Sequence, residues 1–433
     1  MKELNIKDVL KNPSDYNGKE ITLKGWLFKF REQSKFGFLL LRDISGVVQC
    51  FVDDSKIIKQ LSTTPSESVI YVTGIGKEEK QAPDGFELHL KGLEVISSPI
   101  AELPFQVYER KGDEQPNLAL RLDNRWLDLR KPKNAMIFKV WSTMEKYMRQ
   151  YWYEHNFIDI KTSKLISIPS EGGAEVFKVD YFGQEMFLTQ SPQFYKQMAM
   201  ASGFEKVFEV GPIFRAEQSF TARHATEFTG VDMEISFVEK IEELLDLEEE
   251  WIVYWMTGLK EEMGEEIKTM FGKEIVIPQR PFPRITFAQA MDILKKDYED
   301  IGTEDEKALG EYTKEKYNHE FIFITEWPWA KRPFYHMKID GKELSDSFDL
   351  LWNGLEVTTG ARREHRYDIV VKQAQEKGLD VKNFETFLQF FKYGCPPHGG
   401  MGVGPTRLLM KLLDLDNIRD VTLLPRDPKR ITP

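Results

Sequence analysis

The segment 207–237, VFEVGPIFRAEQSFTARHATEFTGVDMEISF, constrains the fold of this chain more than any other. Apolar and polar residues alternate through 207–216 and again through 228–237, which predicts two half-buried antiparallel strands. The loop between them carries Arg215, Glu217, Arg223, His224 and Glu227. Bidentate donors and carboxylates gathered on one joining loop suit a polyanion held in a fixed pose. A solvated hairpin tip is the alternative from this stretch alone, so its partners elsewhere in the chain decide.

A second concentration is SFDLLWNGLEVTTGARREHRYDIV. A turn at Asn353–Gly354 would bring Asp349 and Glu356 together, and two carboxylates beside a phosphate site are a usual way to hold Mg²⁺. Thr359 could add an oxygen ligand, and Arg363 offers a fork for another carboxylate. Near the C-terminus, PPHGGMGVGPTRLLMKLL reads as a glycine-rich loop entering a helix, with Gly404 and Arg407 at its start. Such a loop lets backbone approach a planar or phosphate ligand, and the helix end adds positive potential. It lacks the Lys-Ser/Thr of a P-loop.

MFLTQSPQFYKQMAMASG predicts a strand leading into a helix, with serine at the cap and proline in the first turn. Gln193 and Lys196 then share one helix face and could hold a small carboxylate. The adjacent glycines of EGG suit a loop that folds over a ligand and presents Glu171. An acidic amphipathic helix is expected over about 238–280, its charge forming a solvated face. FIFITEWPW and PFYHMKI are further strand candidates.

Residues 1–105 show five short strands punctuated by Gly, Pro, Asp and Ser, which suggests a small closed barrel of the OB type. Such barrels bind single-stranded nucleic acid by stacking and edge reading. Phe38 offers a stacker, and Gln49 and Glu87 two edge readers. A charged connector with a short helix spans 106–134, and Ile137, Val140, Met144, Met148, Tyr151 and Trp152 recur at helical spacing after it. The net charge of −11 argues against a whole-molecule basic footprint but leaves room for a local one. The two cysteines have no metal or disulfide spacing. No apolar run approaches the roughly 20 residues needed to span a bilayer, so no membrane partner and a reduced, cytoplasmic setting are expected.

FRAE with RHATEF, and then GMGVGPTRL, resemble the second and third signature motifs of class II aminoacyl-tRNA synthetases. EGG, QSPQFYKQ, LEVTTGARREHRYD and PPHGG narrow the resemblance to the aspartyl-tRNA synthetase family, and it extends essentially end to end. The short span between those motifs is similar to the archaeal type. The resemblance implies an α+β chain: an OB-fold anticodon-binding barrel (1–105), a hinge (106–134) and a class II catalytic domain (135–433) built on an antiparallel sheet flanked by helices. It implies ATP-dependent attachment of L-aspartate to tRNA(Asp) through an aspartyl adenylate.

Roles follow from the same resemblance. Arg215 and Glu217 would bind the α-phosphate and adenine side of ATP, with Arg223 and His224 on the outer phosphates. Arg407, beside Gly404, would stack on adenine or clamp the triphosphate. Glu356, with Asp349 and Thr359, would hold Mg²⁺. Lys196 and Arg363 would grip the aspartate side chain, Gln193 would line its pocket, and Glu171 would close over the ammonium group. Phe38, Gln49 and Glu87 would read the anticodon. An asparagine amide would then leave two desolvated cations without counter-charge, a cost on the order of several kcal/mol. Two departures stand out. Ser163 replaces the proline that ends the first motif, at the interface of an expected homodimer. Phe28 and Gln81 do not match the pattern of strict tRNA(Asp) enzymes, which leaves charging of tRNA(Asn) open. Asparaginyl relatives, and less closely an adenylate-forming amide ligase, are the alternatives.

Overall fold

A computed structural model of the 433-residue chain describes residues 4–109, 112–169, 175–218, 221–297 and 300–433. The chain divides into two compact units, 1–136 and 137–432.

In the first unit, β1 (Glu20–Glu32), β2 (Gly37–Arg42), β3 (Val47–Val52), β4 (Val69–Glu78) and β5 (Phe86–Ser97) form a closed barrel in the order β1-β2-β3-β5-β4. β1 pairs with both β2 and β4, and a register shift between Leu27 and Lys29 lets it bend between them. Alternate residues fill the interior, among them Leu23, Leu39, Leu41, Val48, Cys50, Val72 and Leu88. The parallel pair β3/β5 places Gln49 opposite Glu87, which is 6% exposed. The hinge packs with the barrel rather than standing apart, because Phe105, Val107 and Leu127 cluster with Phe28. Phe28 is 8% exposed, its ring centroid 5.1 Å from that of Tyr108 and 4.7 Å from the Arg42 guanidinium. Any effect it has on tRNA choice passes through what it holds.

In the second unit, all six residues of the predicted helical stripe are buried on the helix Pro132–Glu154, which runs across the unit boundary. Trp152 stacks on Trp251 at 5.3 Å, joining it to the long helix Ile241–Phe271. The charge of that second helix is not all solvated. Glu248 and Glu249 are buried; burial pushes Glu248 up to about 8, while Glu249 accepts from Arg284 at 2.9 Å.

The remaining strands are β6 (Ile158–Asp159), β7 (Leu165–Ile166), β8 (Lys178–Tyr181), β9 (Gln184–Leu188), β10 (Lys206–Phe214), β11 (Glu227–Ser236), β12 (Arg284–Thr286), β13 (Phe321–Pro328), β14 (Leu344–Trp352), β15 (Glu356–Arg363) and β16 (His398–Val403). β7-β9-β8 make a small sheet; the main sheet runs β12-β13-β14-β15-β16-β11-β10-β6. Its centre is antiparallel as expected, but both edge pairs, β10/β6 and β12/β13, are parallel.

Three further readings change. GGMGVG is not a loop but strand β16, inserted between β11 and β15. Glycine is needed there, because a Cβ on Gly400 would overlap the Met233 carbonyl and the Glu234 carboxylate. PFYHMKI is irregular and touches the sheet through isolated bridges, His336 to Arg363 and Lys338 to Ser345. The helix Gln193–Ala201 has Pro192, not serine, at its N-cap. No helix among the described residues is long and apolar enough to cross a membrane.

Candidate active site

The opening hairpin exists as β10 and β11, in register from Lys206↔Ile235 to Phe214↔Glu227. Its loop leads into a cleft of about 330 Å³ that also receives β15, the end of β16 and the helix Gln193–Ala201. Ten of the residues singled out above line it: Gln193, Arg215, Glu217, Arg223, His224, Glu356, Thr359, Arg363, Gly404 and Arg407. Segments up to 214 positions apart thus meet in one site, through strand pairing that local sequence does not encode. Glu171 lies outside the described residues.

One end of the cleft is rich in arginine. Arg215 reaches Glu217 at 3.8 Å, and Glu217 reaches His224 at 3.8 Å. Burial holds the His224 imidazole below its ordinary value; Glu217 opposes, but Arg407, Arg223 and Arg215 add to the lowering. Arg407, on the helix Pro405–Leu413, donates to the Glu356 carbonyl at 2.9 Å and to its carboxylate at 3.4 Å. Arg223 forks onto Glu306 Oε2 and Thr303 Oγ1, each at 2.6 Å. Three guanidinium groups converge here, each steadied by a carboxylate (Glu217, Glu306 or Glu356), which suits a phosphate chain.

The Asn353–Gly354 turn, with φ of 47° and 70°, closes β14 and β15 into a hairpin and sets Asp349 across from Thr359. Asp349 Oδ2 is held by Arg332 at 2.7 Å. Burial pushes Asp349 up to about 6, with Arg332 opposing and Glu356 reinforcing. No group of three or more His, Cys, Asp or Glu suited to a metal occurs among the described residues. Glu356 and Thr359 line the cleft, whereas Asp349 does not and faces it only through Thr359 across the hairpin. A carboxylate and a hydroxyl at the rim suit Mg²⁺ that draws its other ligands from substrate phosphates.

The other end is a buried charge network. Lys196, 0% exposed, does not line the cleft but lies beneath it. It donates to Asp232 Oδ1 at 2.9 Å and to the carbonyls of Met401 at 3.1 Å and Met233 at 3.3 Å, with Glu234 at 3.4 Å. Arg363 donates through Nε to Glu234 at 3.0 Å and through Nη2 to the Gly400 carbonyl at 3.0 Å. Burial raises Asp232, with Lys196 opposing. For Glu234, burial is overcome by Arg363, Lys196 and His398, which hold it below the usual carboxylate range. The two cations therefore already have two counter-charges. The expectation that an amide substrate would leave them bare is corrected, and charge count alone does not reject asparagine.

Sequence reading missed Asp232 and Glu234, although they lie in the opening stretch. The alternation that predicted β11 puts Phe228, Gly230, Asp232 and Glu234 on one face, and the first three line the cleft. His336, 2% exposed in the irregular segment, carried no sequence signal. Burial holds its imidazole well below the ordinary value, and Arg363 and Arg332 add to this.

On the barrel, Phe38, Phe36, Phe51 and His89 form an aromatic patch with centroids 4.8–5.9 Å apart between neighbours. Gln49 donates to Glu87 at 3.3 Å, and the other Glu87 oxygen meets His89 at 2.7 Å. Gln81 is exposed between β4 and β5. Ser163 donates to the Leu165 carbonyl at 2.8 Å.

Comparison with known proteins agrees with both halves. The family described as tRNA synthetases class II (D, K and N) matches residues 117–428, and the OB-fold nucleic acid binding domain matches 21–96. The aspartate–tRNA(Asp) ligase of Pyrococcus abyssi is 43% identical over 430 residues, 97% of each chain. The aspartate–tRNA(Asp/Asn) ligase of Aeropyrum pernix is 39% identical and is covered end to end. Among solved structures, asparaginyl-tRNA synthetase from Pyrococcus horikoshii complexed with asparaginyl-adenylate superposes with a TM-score of 0.91 at 31% identity, over 100% of both chains. The chain belongs to the class II aminoacyl-tRNA synthetases, among the aspartate–tRNA ligases.

Proposed function

We propose that the cleft joins L-aspartate to ATP as an aspartyl adenylate and passes the aspartyl group to tRNA(Asp). The observation that carries this reading is one cleft with an arginine-rich end and a buried Lys196–Asp232–Glu234–Arg363 network at the other. The α-carboxylate of aspartate is ionised at neutral pH, so its attack on the α-phosphate needs no general base. Arg215, Arg223 and Arg407 bind and orient the phosphates, and positioning supplies most of the rate. Mg²⁺, held by Glu356 with Asp349 and Thr359, would add charge stabilisation on the phosphates. Asp232 offers a carboxylate to the substrate ammonium group, and Arg363 a guanidinium to its side chain. The terminal ribose hydroxyl of tRNA then displaces AMP.

The barrel supports anticodon reading by stacking on Phe38 and edge contacts from Gln49 and Glu87. We extend the substrate set to tRNA(Asn), on the exposed Gln81 and on relatives named for both tRNAs. A homodimer in the cytoplasm completes the reading. Aspartate-dependent pyrophosphate exchange tests the activity; exchange with asparagine in place of aspartate would overturn the substrate. Charging assays with both tRNAs test the second substrate, and no aspartylation of tRNA(Asn) would remove it.

A further inference from the structure

We propose that Glu306, on the helix Thr303–Tyr317 outside every motif discussed above, is a positioning residue for the nucleotide end of the cleft. The inference rests on the reading of Arg223 and Glu356 as ATP-site residues. One carboxylate oxygen of Glu306 serves both of them. It accepts from Arg223 Nη1 at 2.6 Å and from the Glu356 backbone nitrogen at 3.3 Å. Glu356 in turn accepts from Arg407. A chain Arg223–Glu306–Glu356–Arg407 thus ties the loop after β10, the start of β15 and the helix Pro405–Leu413 at the cleft mouth.

The site is built rather than incidental. Glu306 is 7% exposed, unlike a solvated ion pair. Its helix meets the β14–β15 turn backbone to backbone: a Cβ on Gly310 would lie 2.5 Å from the Gly354 nitrogen. A Cβ on Gly354 would lie 2.8 Å from the Lys307 Cα. Lys411 holds the same turn from the other side, donating to the Asn353 carbonyl at 2.9 Å. The turn that presents Glu356 is therefore clamped between two helices, and Glu306 sits where that clamp meets Arg223. A guanidinium and a carboxylate already held at the rim cost less to order when phosphate arrives.

The test is pyrophosphate exchange on the full chain with Glu306→Ala, Glu306→Gln, Arg223→Ala and the double variant Glu306→Ala/Arg223→Ala. Glu306→Ala should raise KM for ATP roughly tenfold while KM for aspartate stays within about twofold. Glu306→Gln, which keeps an oxygen acceptor, should recover part of the loss. The double variant should be no worse than Arg223→Ala, because the two residues act as one unit. An unchanged KM for ATP in Glu306→Ala, equal damage to both substrates, or additive losses would overturn the proposal. If Arg223→Ala itself leaves KM for ATP unchanged, the reading of Arg223 fails first and the proposal falls with it.

Discussion

Lys196→Met should separate holding the substrate from holding the fold. The side chain is fully buried, and protein acceptors face its ammonium group: Asp232, Met233 and Met401, with Glu234 at 3.4 Å. Methionine of similar volume leaves little cavity, so the loss is electrostatic. Glu234 keeps Arg363, but Asp232 loses its cation. Removing one partner of a buried pair costs about 3–5 kcal/mol, which lowers Tm by about 10 °C for a unit of this size. The pH dependence has a definite sign. Burial already raises Asp232 in the folded protein, and removing Lys196 raises it further. A carboxyl raised on folding binds its proton more tightly when folded, so stability is gained as pH falls toward its folded pKa. The gap between variant and wild type should therefore narrow from about pH 8 to about pH 5 in thermal or urea unfolding. Lys196→Met/Asp232→Asn, with neither charge, should recover most of the stability but not aspartate-dependent exchange. A Lys196→Met protein as stable as wild type, or a loss that the second substitution does not relieve, would refute the electrostatic account.

Arg407→Ala should lower kcat for pyrophosphate exchange by about 10²–10³-fold, the usual cost of one charge-stabilising donor, with the fold intact by circular dichroism. Phe38→Ala should weaken tRNA binding by about 1–3 kcal/mol and leave tRNA-independent exchange unchanged, as a filter-binding titration would show. His398 donates from Nδ1 to the Pro396 carbonyl at 2.8 Å, and its Nε2 lies 2.9 Å from Gln197 Nε2. Burial lowers it to about 4. Its folded value lies below the unfolded one, so stability should fall as pH drops from about 6.5 toward about 4, by roughly 3 kcal/mol. His398→Gln should flatten that part of the pH profile measured by chemical unfolding.

Much of this architecture was legible locally. Period-two alternation gave the barrel strands and the hairpin 207–237, and helical spacing picked out the six buried residues from Ile137 to Trp152. Those signals work because a half-buried face repeats with the geometry of its own backbone. The motif residues of the cleft were legible for another reason: arginines and carboxylates gathered on loops have few structural uses.

Pairing between distant strands carries no such local signature, and there the tertiary structure decided. The glycines of 399–404 read as a loop, yet packing between β11 and β15 made them a strand with room for the Glu234 carboxylate. That Phe28 would be covered by Phe105 and the hinge residues Val107 and Leu127 had no local signal either. Lys196 read as a substrate grip, but only the fold showed Asp232 and Glu234 neutralising it. Local pattern was enough for the barrel, the hairpin and the long helix, and for the arginines and carboxylates they carry. The tertiary structure decided which charges face each other, because a buried ion's partner is set by where the strands meet and not by its neighbours along the chain.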